Sequence, residues 1–140
     1  MNLKHLFTAP IRILLIADHP IVLAVLNLLI ESHPRLILAG VADNYSNAIA
    51  IAKQEQPDIT LLSISPDNSN GFDEVANLFP YLNRSRILVL IAEYDPALYQ
   101  RAAELGVMGV VSKEDGPEAL IKAIENVHSD NEVSGHSSPC

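Results

Sequence analysis

The chain has 140 residues, 49% of them apolar and 19% charged, which is the size and hydrophobic content of one folded domain and excludes a disordered chain. Its net charge of −8 excludes a surface built to neutralise nucleic-acid phosphates. The one cysteine, Cys140, is the last residue, so neither an intrachain disulfide nor a CxxC motif can form, and a reducing cytoplasmic setting fits.

Residues 11–17 (IRILLIA) are a short apolar, β-branched run that reads as a first strand. Asp18, His19 and Pro20 then read as a cap and first turn of a helix over residues 19–32, stopped by Pro34. The apolar stretch 11–30 has the length of a membrane span, but Arg12, Asp18, His19 and Pro20 interrupt it; Pro10 and Arg12 also break the only candidate signal-peptide core. Residues 36–41 form a second predicted strand. Asp43, Asn44 and Ser46 are turn and cap residues before a helix over 46–55, and residues 59–63 are a third strand. The segment ISPDNSNG, residues 64–71, reads as a long functional loop before a helix over 72–82. Residues 87–91 make a fourth strand, Asp95 and Pro96 open a helix closed by Gly106, and residues 107–112 make a fifth strand. Gly116 and Pro117 start a last helix ending near Ser129.

Five strands apolar on both faces, alternating with five helices, require a parallel sheet covered on both sides. The expected fold is therefore a doubly wound α/β sheet of order 2-1-3-4-5, flavodoxin-like, with its ligand crevice beyond the carboxyl ends of strands one and three. That placement gathers Ala17, Asp18, Ser63, Ile91 and Lys113 around one site. Residues 1–10 are then an N-terminal extension, 11–129 the domain, and 130–140 a polar tail expected to be disordered or to begin a linker.

The texts LLIADHP, PDITLLSIS, NGFD, RILVLIAEYDP and GVVSKED resemble the receiver domain of two-component response regulators, nearest to the NarL/FixJ class of transcription factors. The resemblance implies two adjacent acids after strand one holding Mg²⁺, a phosphoacceptor aspartate ending strand three, a hydroxyl ending strand four and a lysine ending strand five. Here those positions carry Ala17 and Asp18, then Ser63, Ile91 and Lys113, with Val110 at a position often aromatic. A serine cannot form an acyl phosphate, and its neutral hydroxyl is a weak nucleophile without an adjacent base. The resemblance thus points to a degenerate receiver that has lost its phosphorylation switch and acts by binding protein, with no catalytic residue, metal or cofactor.

Other readings stand beside this one. Asp18 could serve as a helix cap, Lys113 as the partly buried partner of Asp18, and Ser63 as a small polar residue filling the space of a carboxylate. Asp58 and Asp67 are poorly placed as substitute acceptors, and His5, His19, His33, His128 and His136 show no ligand spacing. One rival is a phosphorylated receiver with a non-standard acceptor. Another is a sensor of a small ligand, in a pocket made apolar by Ile91 and Val110. DNA would be bound only through a further helix-turn-helix domain, for which residues after Ser129 leave no room; the chain is then either the receiver part of a longer regulator or a stand-alone adaptor.

The first helix offers the partner surface. Val22, Val25, Leu26 and Leu29 make the stripe expected to face the sheet, yet Leu23 and Ile30 extend it on one flank and Ile21 and Leu28 on the other. Glu31 is the only charged residue between Pro20 and Ser32, and Ile121 widens the apolar face of the last helix. A protein partner, most simply a second copy, is expected on Ile21, Leu23, Leu28, Ile30 and Ile121. The alternative cover is the segment 3–9 folding back.

Overall fold

The computed structural model describes residues 10–64, 71–82 and 85–132, with residues 71, 72, 74 and 130–132 described by their backbone. Strand β1 (Ile11–Ile16), helix α1 (Pro20–Glu31), β2 (Leu36–Ala42), α2 (Tyr45–Glu55), β3 (Ile59–Ser63), α3 (Gly71–Leu78), β4 (Arg86–Ile91), α4 (Pro96–Leu105), β5 (Gly109–Ser112) and α5 (Pro117–Glu132) follow one another. The strands are all parallel, in the order β2-β1-β3-β4-β5.

Alternation along the strands divides the core into two layers. Ile13, Leu15, Ile59, Leu61, Leu88 and Leu90 face α1 and α5, meeting Leu26, Ile30, Leu120 and Ile124. Leu14, Ile16, Leu62, Val89 and Ile91 face the opposite way, meeting Ala48 and Ala52 of α2, Val75 of α3 and Ala102 of α4. A one-residue register shift between Ile13 and Leu14 leaves Ala39 unpaired and returns Val41 to the α1 side. Gly40 follows it, where any Cβ would overlap the Ile51 side chain, so the bulge and the glycine together let α2 lie close on β2.

Several expected boundaries shift, each for a local reason. The third helix stops at Leu78 and tightens into a 3-10 turn over Phe79–Tyr81, because Pro80 has no N–H for an α-helical bond. The fifth strand begins at Gly109 instead of residue 107, since the N–H of Val107 still bonds Ala102 O at the end of α4, with Gly106 left-handed at φ 87°. Lys113 to Asp115 form a 3-10 turn after β5, and α5 runs on past Ser129 to Glu132. The long loop predicted over 64–71 lies mostly outside the described residues, as do the segment 3–9 and the tail from 133.

The amino-terminal edge of the sheet is tied by Arg12. Its guanidinium donates to Glu55 O (2.6 Å) and Glu55 Oε1 (2.9 Å), while its N–H donates to Asp58 Oδ2 (2.9 Å). Among the described residues no such side-chain clamp joins the carboxyl ends of β1 and β3, where a crevice opens.

Candidate functional site

Ladder bonds carry the chain one residue beyond each of the central strands: Ala17 N–H donates to Ala42 O (3.1 Å) and Ile64 N–H to Leu90 O (2.9 Å). Ala17 is consequently buried and Ser63 only 8% exposed, while Asp18 emerges into solvent. Between these strand ends and the start of α2 lies a crevice of about 370 Å³, lined by Ile16, Ala17, Asp18, Asp43, Asn44, Tyr45, Ser46, Leu62, Ser63 and Ile64.

The structure thus brings together Ala17, Asp18 and Ser63, and it places the other two expected site residues elsewhere. Ile91 is buried in the layer beneath α2, α3 and α4, with Val110 packed against it, so neither lends the crevice an apolar wall. Lys113 is exposed on its 3-10 turn and lines a different groove. No ion pair joins it to Asp18 among the described residues, so the expected neutralising partnership is not formed. Nor does Asp18 cap α1: the cap position is His19, which makes no side-chain cap bond, and Pro20 supplies a first turn with no N–H to satisfy.

Three crevice residues are legible in the sequence only as turn and cap residues: Asp43, Asn44 and Ser46. Asn44 does cap α2, its Oδ1 accepting from Asn47 N–H at 2.9 Å, and its Nδ2 donates to Asp43 Oδ1 at 2.9 Å. The signal for their second role is positional, since the loop after β2 opens at the same sheet edge as the loops after β1 and β3. Nearby, Glu114 Oε1 accepts from Tyr94 N–H (3.2 Å) and Ser112 Oγ (3.4 Å), linking the connections that follow β4 and β5. Tyr94 stacks edge-on against Tyr99 at 4.9 Å. Burial, aided by the Asp115 carboxylate and Tyr94, raises the Tyr99 phenol above 10.0.

The second concave feature is an apolar groove of about 340 Å³ between α1 and α5, lined by Val22, Leu29, Leu90, Pro117 and Leu120 among others. A further hollow at Leu29, His33, Pro117 and Ile121 continues it. Along its α1 rim Ile21, Val25 and Leu28 are 79%, 58% and 70% exposed. The face differs from the expected one at two positions. Ile30 is fully buried in the core and offers nothing to a partner, whereas Val25, assigned to the sheet-facing stripe, points to solvent. Leu23 and Ile121 are half-buried against the core layer.

Residues 13–125 match the response regulator receiver domain family. The transcriptional regulatory protein LnrK of Bacillus subtilis is 31% identical over 119 residues, which are 85% of this chain and 54% of LnrK. Protein PilH of Pseudomonas aeruginosa is 31% identical over 121 residues, 83% of this chain and 96% of PilH. The chain spans about half the length of the curated transcriptional regulators it matches. Among solved structures, a LuxR-family two-component response regulator from Aurantimonas sp. SI85-9A1 superposes with a TM-score of 0.77 at 27% identity, covering 86% of each chain.

Mg²⁺, which such a fold implies, finds a poor donor set here. Asp18 and Asp43 are the carboxylates lining the crevice, Ala17 offers none, and among the described residues no three His, Cys, Asp or Glu side chains gather as ligands. No helix among the described residues is long and apolar enough to cross a membrane.

Proposed function

The chain belongs to the response regulator receiver domain family, and from that premise we propose that it is a degenerate receiver, working by phosphorylation-independent protein–protein interaction in cytoplasmic transcription regulation. One observation carries this reading: Ser63 ends β3, and its hydroxyl has no hydrogen-bond partner among the described residues. Among the described residues no base is hydrogen-bonded to it, and an unactivated serine is a weak nucleophile. Neither Ala17 nor Ser63 supplies a carboxylate, so phosphoryl transfer through a metal has no foundation in these residues. No enzymatic activity is indicated.

What remains is a folded surface. The exposed ridge of Ile21, Val25 and Leu28 beside the apolar groove supports a protein-binding role for α1, helped by Ile121 of α5 and most simply met by a second copy. The domain on this reading spans residues 11–129, between the extension 1–10 and a linker or tail from 130. DNA is contacted only through a further domain of the kind that curated transcriptional regulators have room for.

Acetyl phosphate with Mg²⁺ tests the core of the proposal. The expected result is an unchanged mass and an unchanged melting temperature; an added phosphoryl group detected by mass spectrometry overturns it. Light scattering tests the surface. Ile21→Glu with Leu28→Glu should convert a dimer to a monomer, whereas a wild type that stays monomeric at high concentration removes the homodimer.

A further inference from the structure

The groove between α1 and α5 is walled by Val22, Leu26 and Leu29 on one side and by Pro117 and Leu120 on the other, with Leu90 of β4 below them. Leu26, Leu90 and Leu120 are no more than 5% exposed, so the floor is continuous with the core. Among the described residues Lys113 is the only charged one that lines it, and it stands at the end where β5 finishes and α1 begins. This lysine is exposed and meets no ion-pair partner among the described residues. The acids that follow it are engaged elsewhere. Glu114 accepts from Tyr94 N–H and Ser112 Oγ, and Asp115 lies close enough to the Tyr99 phenol of α4 to act on it. Neither lines the groove.

Small-molecule sites are mostly apolar, with a few polar groups that fix the ligand's orientation. Here the walls ask for hydrocarbon and the one polar side chain asks for an anion. We propose that the groove binds a single-chain amphiphile ending in a carboxylate, a medium-chain fatty acid, with its chain laid between α1 and α5 and its carboxylate on Lys113. From Ile21 to Leu29 the helix rises about 12 Å, which an extended chain gaining about 3.5 Å every three bonds spans in about ten bonds. The volume agrees: about 340 Å³ holds roughly eleven groups of about 30 Å³, the space of one water in the liquid and close to that of a methylene. A polypeptide lying along the floor would bury its own N–H and C=O groups where no polar side chain besides Lys113 lines the groove; an alkyl chain brings none to bury. The inference does not rest on the interaction surface proposed for α1, since a monomer offers the same groove.

Amide chemical shifts of the full chain, titrated with sodium decanoate below its micellar concentration, test it. Saturable shifts are expected at Val22, Leu29, Lys113 and Leu120, with none at Ala17 and Ser63 in the crevice. Octanoate should bind about tenfold more weakly, because two buried methylenes are lost. Decanol and decyltrimethylammonium should bind about tenfold more weakly or worse, because neither brings an anion to Lys113. Lys113→Gln should weaken decanoate by about tenfold and leave decanol unchanged, a pattern that a general loss of folding does not produce. A monomeric wild type that binds decanoate removes the homodimer and keeps this inference. The proposal is overturned by any of four results: no saturable shift with decanoate, decanol or decyltrimethylammonium matching it, Lys113→Gln leaving its affinity unchanged, or groove amides that move with protein concentration alone, the mark of a second copy as the occupant.

Discussion

The crevice and the groove are of similar size, about 370 and 340 Å³, yet their linings are opposite. The crevice collects Asp18, Asp43, Asn44, Ser46 and Ser63 at strand ends and a helix start, where backbone leaves the sheet and polar side chains can reach water. The groove collects Val22, Leu29, Leu90 and Leu120 from the flanks of two helices and the sheet beneath them. In the first, a network of charge expected from the family is missing its two buried carboxylates; in the second, charges that usually solvate a helix surface are missing. The proposed change from chemistry at a strand end to recognition across a helix face rests on these two losses together.

Breaking that comparison starts with α1, where one helix turn separates core from surface. Ile30→Ala should lower the unfolding free energy by about 2–5 kcal/mol, because Ile30 is fully buried and its loss leaves a cavity. Leu28→Ala should change the monomer's stability by no more than about 0.5 kcal/mol, since Leu28 lies mostly in solvent. Urea unfolding measures both. Equal costs at the two positions would mean that α1 sits on the sheet by a different face.

The crevice can be sharpened by rebuilding its charge. With Ala17→Asp and Ser63→Asp together, two unit charges about 5 Å apart at an effective dielectric near 20 repel by roughly 3 kcal/mol. Melting in EDTA should fall, and Mg²⁺ should restore much of the loss. A double variant that melts like the wild type in EDTA would show that the strand ends are wetter than their burial implies.

Smaller effects separate the cap from the site. Asn44→Ala should cost about 1 kcal/mol by removing the bond to Asn47 N–H, while Asp18→Ala, which removes no cap, should leave stability nearly unchanged. Lys113→Ala should be the mildest of all, within about 0.5 kcal/mol, because the lysine is exposed and unpaired with Asp18. A larger loss for Lys113→Ala than for Asn44→Ala would restore the partnership that the geometry denies.

Much of this molecule was legible in one dimension. Runs such as ILVLI, apolar throughout, and ITLLS, apolar except at Thr60 and Ser63, read as strands buried on both faces, and their alternation with helices leaves few topologies besides a doubly wound sheet. The same patterning placed Ala17, Asp18 and Ser63 at adjacent strand ends, because a parallel sheet puts all its carboxyl ends on one edge. Three-dimensional packing decided the rest. Whether Ile91 lines the crevice depends on which face of β4 it occupies, and Lys113 lies outside the crevice lining because the chain enters a 3-10 turn directly after β5 ends at Ser112. On α1, helical periodicity defines the apolar stripe but not its rotation. When nearly every residue is apolar, the pattern has no polar side to fix the angle, and only packing against β1 and β2 buries Ile30 and turns Val25 outward.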